Sequence, residues 1–60
     1  YQVKIVNCSV LNVRSGAGTS YPVVTTVKAN EVYTIVDESN GFGKLKSGAG
    51  WISLSYTKKI

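Results

Sequence analysis

Sixty residues with seven Lys and Arg, three Asp and Glu and no His make one small domain at most, of a size that buries only about 60% of its unfolded surface. A single cysteine forms no internal disulfide, and without histidine there is no ordinary ligand set for structural zinc, so stability must come from a compact apolar core. Hydrophobic residues at 43% and charged residues at 17% describe a globular chain, and the net charge of +4 favours a polyanionic partner or a well-solvated surface.

Apolar residues recur at every second position almost throughout, the period of strands whose side chains alternate between two faces. The opening YQVKIV places Tyr1, Val3 and Ile5 on one face, with Gln2 and Lys4 opposite. Asn7 to Ser9 makes the first break. Cys8 within it reads as a small half-buried filler, since Lys4 is the only cation close in sequence that could activate a thiol. On the next strand Leu11 and Val13 point inward, which sends Asn12 and Arg14 outward. Ser15-Gly16-Ala17-Gly18 then opens a small-residue loop that ends at Tyr21-Pro22, and VVTTV resumes as a strand.

After a turn at Lys28-Ala29-Asn30 comes the longest strand, Glu31 to Glu38, apolar on both faces in its middle. Ser39-Asn40-Gly41 is the strongest hairpin signal in the chain, because Asn-Gly accepts the positive φ angles of a two-residue turn. Phe42 and Lys44 share the outward parity of the following strand, while Leu45 points in. A second Ser-Gly-Ala-Gly, Ser47 to Gly50, turns the chain into Trp51 and an inward Ile52. Trp51 is expected to act mainly through packing, with one edge exposed. No window of eleven residues carries a helical repeat, and no apolar run approaches the roughly 20 residues that span a bilayer. No secretory pattern opens the chain, and Tyr1 as first residue suggests a piece of a longer one. Short, evenly spaced strands predict an all-β fold, best satisfied at this length by a small barrel.

Catalysis fares poorly. No histidine can serve as base, and a Ser or Cys nucleophile lacks its usual activator. By alternation Asp37 and Glu38 point to opposite faces, and Glu31 and Asp37 share a face about 20 Å apart, too far for a glycosidase pair. Neither Ser-Gly-Ala-Gly copy is a phosphate loop, since strands follow both and neither has the lysine spacing of a P-loop.

LNVRSGAGTSYPVV followed by SNGFGKLKSGAGWISLSY resembles the bacterial Src-homology-3 (SH3) domain. Leu11, Asn12, Val13, Arg14, Ser15, Gly16 and Gly18 match the opening motif, with Ala17 where proline is usual. Gly50, Trp51, Ile52 and Tyr56 match the closing motif, and Phe42 stands where tryptophan is general. The resemblance implies that residues 1–60 form a single SH3-like barrel of five to seven short strands, cut from a longer chain as its C-terminal module. It puts Tyr33 and Ile35 on the core side and makes residues 15–20 the RT loop, one wall of a surface groove. It also implies ligand-binding roles for Asn12, Arg14, Tyr21, Phe42, Lys44, Trp51 and Tyr56.

The function so implied is a non-catalytic module that targets a peptidoglycan hydrolase, such as a phage endolysin, to the bacterial wall. The expected partner is peptidoglycan, through peptide stem or glycan, with teichoic acid as an anionic background. No cofactor, metal, nucleic acid or membrane is expected. The module is expected as a monomer, alone or in tandem with a second such module, acting at the extracellular wall. A protein-interaction module reading proline-rich peptides is the main alternative. SH3 domains of that kind usually carry acidic RT loops, and no acid lies between Arg14 and Tyr21. A nucleic-acid surface built on the row Phe42, Lys44 and Lys46 is a third reading, although that row suits a carboxylated wall peptide equally.

Overall fold

The alternation read from the sequence is what places the core. In the computed structural model, which describes all 60 residues, Val3, Ile5, Leu11, Val13, Val27, Ile35, Leu45 and Ile52 form one buried cluster of aliphatic side chains. Cys8, Tyr33 and Leu54 lean on it from half-buried positions, so the expected filler role of Cys8 and the core-side placement of Tyr33 and Ile35 both stand. Burying these side chains is the dominant stabilising term, and each contributes about 1.5–3 kcal/mol relative to exposure.

Seven strands supply the cluster: β1 (Gln2–Ile5), β2 (Val10–Arg14), β3 (Val23–Lys28), β4 (Val32–Ser39), β5 (Phe42–Leu45), β6 (Trp51–Ser53) and β7 (Thr57–Lys59). One 3-10 turn, Leu54–Tyr56, joins the last two. Every pairing is antiparallel, and the strand order is β3-β2-β6-β5-β4-β1-β7. The turn after β3 bonds to the end of β1, with Asn30 N donating to Ile5 O at 2.8 Å and Ile5 N to Glu31 O at 2.9 Å. The sheet thus curls back on itself, and the result is the expected small SH3-like barrel.

Three departures from simple alternation matter. Tyr1 is 41% exposed and does not join Val3 and Ile5; its ring lies 4.4 Å from the Lys59 ammonium on β7. In β4 the register shifts between Ile35 and Asp37, so Val36 is bulged and 55% exposed. A bulge reverses parity beyond it. Asp37 therefore pairs with Lys44 on the outer face, and Glu31 and Asp37 do not share a face as counting predicted. Finally, the 3-10 turn and β7 carry no clear signal in the sequence. They are set by tertiary contacts: Leu54 N donates to Gly41 O at 2.9 Å, Val6 N to Tyr56 O at 2.9 Å, and Thr57 Oγ1 to Leu54 O at 2.9 Å.

The turns follow their residues. Asn40 and Gly41 both have positive φ, 52° and 78°, as the hairpin signal required. At the β3–β4 turn, Glu31 Oε1 accepts from Lys28 N at 2.7 Å and from the Tyr33 hydroxyl at 2.8 Å. The Lys28 amide first, and then Tyr33, hold the Glu31 carboxyl below its usual range. A depressed carboxyl stabilises the fold above its unfolded value, and that contribution is lost as pH falls through the depressed one. Melting temperatures of the parent and Glu31→Gln should therefore differ at neutral pH and converge in acid below the ordinary carboxylate range. A constant difference from neutral pH down to pH 3 would show that the Glu31 charge is irrelevant to the turn.

Candidate binding cleft

The loop from Ser15 to Pro22 is folded over by its own contacts. Ser15 N donates to Pro22 O at 3.1 Å, Gly18 N to Gly16 O at 3.0 Å, and Tyr21 N to Gly18 O at 3.3 Å. The Tyr21 ring lies directly on Gly16, where a Cβ would stand 2.5 Å from the ring. Glycine is required there by close approach, which explains a small-residue loop that ends in an aromatic. Arg14 latches the loop from beneath. Its Nη1 donates to Thr19 O at 3.2 Å and to Tyr21 O at 2.9 Å.

The facing wall is the β4–β5 hairpin and the 3-10 turn. Gly43, buried on β5, lets Leu54 and Ile35 close over it, since a Cβ would meet Leu54 at 2.8 Å and Ile35 at 3.0 Å. Asn40 Nδ2 at the hairpin tip donates to Ala17 O at 3.4 Å and touches the loop across the gap.

Between the walls lies an open cleft of about 430 Å³, lined by Val10, Leu11, Asn12, Arg14, Thr19, Phe42, Ser53 and Tyr56. Asn12, Arg14, Phe42 and Tyr56 are thus brought together, as the sequence suggested. Tyr21, Lys44 and Trp51 do not line it. Tyr21 serves the loop, through its ring on Gly16 and its carbonyl on Arg14. Lys44 and Trp51 belong to a cross-strand row on the outer sheet face, Arg14–Trp51–Lys44–Asp37 over β2, β6, β5 and β4.

Trp51 is half-buried, as a side chain with one edge exposed should be, but it stands outside the core cluster. Ile52 takes the inward position on β6, and Trp51 must face outward between Arg14 and Lys44. Val10, Thr19 and Ser53 were missed, and Leu11, read only as core, also reaches the lining. Val10 has the parity of Asn12, and Ser53 has the parity of Trp51 and pairs with Phe42, so continued alternation could have found both. Thr19, on an irregular loop, left no signal.

No lining residue is acidic, and Arg14 is the only charged one. Its two loop partners are neutral carbonyls, so its charge is positioned without being cancelled. Phe42 and Tyr56 offer aromatic faces, while Asn12, Thr19 and Ser53 offer polar groups. A second cleft of about 440 Å³, at the far end of β5, is lined by Val32, Tyr33, Thr34, Leu45, Lys46 and Ser47. Its tyrosine hydroxyl is already donated to Glu31. No group of three or more His, Cys, Asp or Glu is placed to hold a metal ion.

A small barrel with aromatic and hydrogen-bonding groups along an open cleft is built to hold a ligand, and it has the makings of a binding module. The family model of the bacterial SH3 domain matches residues 9–58, and the chain belongs to that family, one of binding rather than catalytic domains. No curated protein matches the chain.

Proposed function

We propose that this domain is a non-catalytic wall-binding module that holds a peptidoglycan hydrolase, such as an endolysin, on the bacterial wall. In this reading residues 1–60 are one module of a longer chain, acting outside the cell on peptidoglycan with teichoic acid nearby. The observation that carries it is the acid-free cleft on a chain of net charge +4, where an uncancelled Arg14 stands with Phe42 and Tyr56. Stem-peptide carboxylates suit the guanidinium, and sugar rings or alanine methyl groups suit the aromatic faces. The same aromatics would suit proline-rich peptides, but the RT loop has no acid to pair with their basic flanks.

Pull-down of the isolated domain on purified sacculi, with and without teichoic acid, tests the reading. The parent should be retained on both and released by salt, as charge contacts are screened. Phe42→Ala and Tyr56→Ala should each weaken retention by about tenfold, equivalent to about 1.4 kcal/mol. Thermal melts of the same variants should stay close to the parent for the 44%-exposed Tyr56. No retention on sacculi, or displacement by a proline-rich peptide in preference to wall fragments, would overturn the proposal.

A further inference from the structure

Arg14 is tied to the loop in a way that leaves one edge of its guanidinium unused. A guanidinium carries five N–H donors: two on each terminal nitrogen and one on Nε. Nη1 donates both of its hydrogens, one to Thr19 O at 3.2 Å and one to Tyr21 O at 2.9 Å. Nε and Nη2 make no hydrogen bond within the chain. Their N–H bonds run side by side on the opposite edge, the geometry that grips both oxygens of one carboxylate. The latch supplies what a flexible surface arginine lacks, because the side chain is already ordered before a ligand arrives.

No acid of the chain competes for that edge. No carboxylate lines the cleft, and Asp37 stands three strands away in the same cross-strand row, roughly 14 Å at the usual strand spacing. With Arg14, the cleft is lined by neutral groups suited to a peptide: the side chains of Asn12, Ser53 and Tyr56, and the apolar side chains of Phe42 and Val10. A single planar fork with one positive charge, amid amide and hydroxyl partners, fits the planar monoanion of a peptide carboxylate. A phosphate would call for further cations, and Arg14 has none beside it in the cleft.

We propose that the free Nε/Nη2 edge of Arg14 is a carboxylate receptor, and that the cleft selects peptides bearing a free carboxylate, at the chain end or on a side chain. This rests on the cleft being the ligand surface, as in the wall-binding reading above.

The test is titration of the 60-residue domain, followed by NMR, with four probes: acetyl-alanyl-alanine, its C-terminal amide, acetylglutamate with a blocked α-carboxyl, and glycerol 3-phosphate. Acetyl-alanyl-alanine should move the Arg14 Nε–H resonance, and the amide should bind at least about tenfold more weakly. Comparison with blocked acetylglutamate tells a chain-end carboxylate from a side-chain one, and binding of either with the Nε–H shift supports the receptor. Arg14→Lys keeps the charge but loses the fork, so it should narrow the contrast between acid and amide to what a point charge alone gives. Because that change also touches the loop, the Gly16 Hα shift, set by the Tyr21 ring above it, reports whether the loop stays closed. If the loop opens, the parent's acid–amide contrast and Nε–H shift decide alone. Equal binding of acid and amide, an unmoved Nε–H, or tighter binding of glycerol 3-phosphate would overturn the receptor. Sacculus retention with no acid–amide contrast sinks this inference and leaves the wall reading standing. A clear contrast without sacculus retention does the reverse.

Discussion

Gly50→Ala should remove most of the domain's stability and lower its melting temperature steeply. Gly50 has φ of 146°, a conformation that L residues rarely adopt. A Cβ there would stand 2.4 Å from the Arg14 carbonyl oxygen and 2.9 Å from Val13 Cγ1. The first neighbour is backbone at the C-terminal end of β2, where it pairs with β6, so it cannot swing away as a side-chain tip would. Yielding would separate β2 from β6, which meet through the single register pair Arg14↔Trp51, and would pull Leu45 N from Gly50 O, now bonded at 2.9 Å. Strain and clash together should cost about 3 kcal/mol or more. A 60-residue domain without disulfide or metal sits near or below the low end of the usual range of about 5–15 kcal/mol. Gly48→Ala is the control. Its φ is 80°, but a Cβ there meets nothing within 4 Å, so only backbone strain of about 1 kcal/mol applies. Circular dichroism melts of the two variants should differ widely. A Gly50→Ala protein that melts like Gly48→Ala would mean that the β2–β6 approach is looser than the structure shows.

The core was legible because its physics is local. Burial of one face imposes a period of two, and Leu11, Val13, Leu45 and Ile52 could be assigned inward from neighbours alone. The Asn40-Gly41 turn was legible for the same reason, since positive φ is a property of the residues that adopt it. The bulge at Val36 was not, because Glu31 to Glu38 is apolar on both faces in the middle and no polar residue marks where the parity flips. The 3-10 turn and β7 depend on partners far along the chain, at Gly41 and in β1. In the cleft, alternation sent Asn12, Arg14 and Phe42 outward, and the resemblance to the bacterial SH3 domain implied ligand roles for them and for Tyr56, which sits on the 3-10 turn. The latch under the loop stayed hidden because Arg14 binds main-chain carbonyls, and any residues at positions 19 and 21 would present those. Its consequence is that Arg14, a residue of the cleft lining, also holds the loop, through Nη1.

Ile52 and Trp51 are neighbours on β6, and truncating them should have opposite weight. Ile52 is fully buried and pairs across β6 with Gly43, whose missing side chain leaves the room that Ile35 and Leu54 fill. Ile52→Ala removes atoms from a fully buried position in an eight-residue core. Such changes cost about 2–5 kcal/mol, depending on how far the site collapses. In this domain that loss should bring the midpoint of urea unfolding close to zero denaturant. Trp51 is the larger side chain, and size alone would rank it first. Its ring stands on the outer face between Arg14 and Lys44, outside the core cluster, so its removal exposes strand surface instead of opening a cavity. A cost of about 1 kcal/mol is expected, in the ordinary range for a change away from the core. Urea titrations of the two alanine variants, fitted with a common slope, give the comparison directly. If Trp51→Ala proves as damaging as Ile52→Ala, the indole must be packing into the barrel, and the outward row Arg14–Trp51–Lys44 would be wrong.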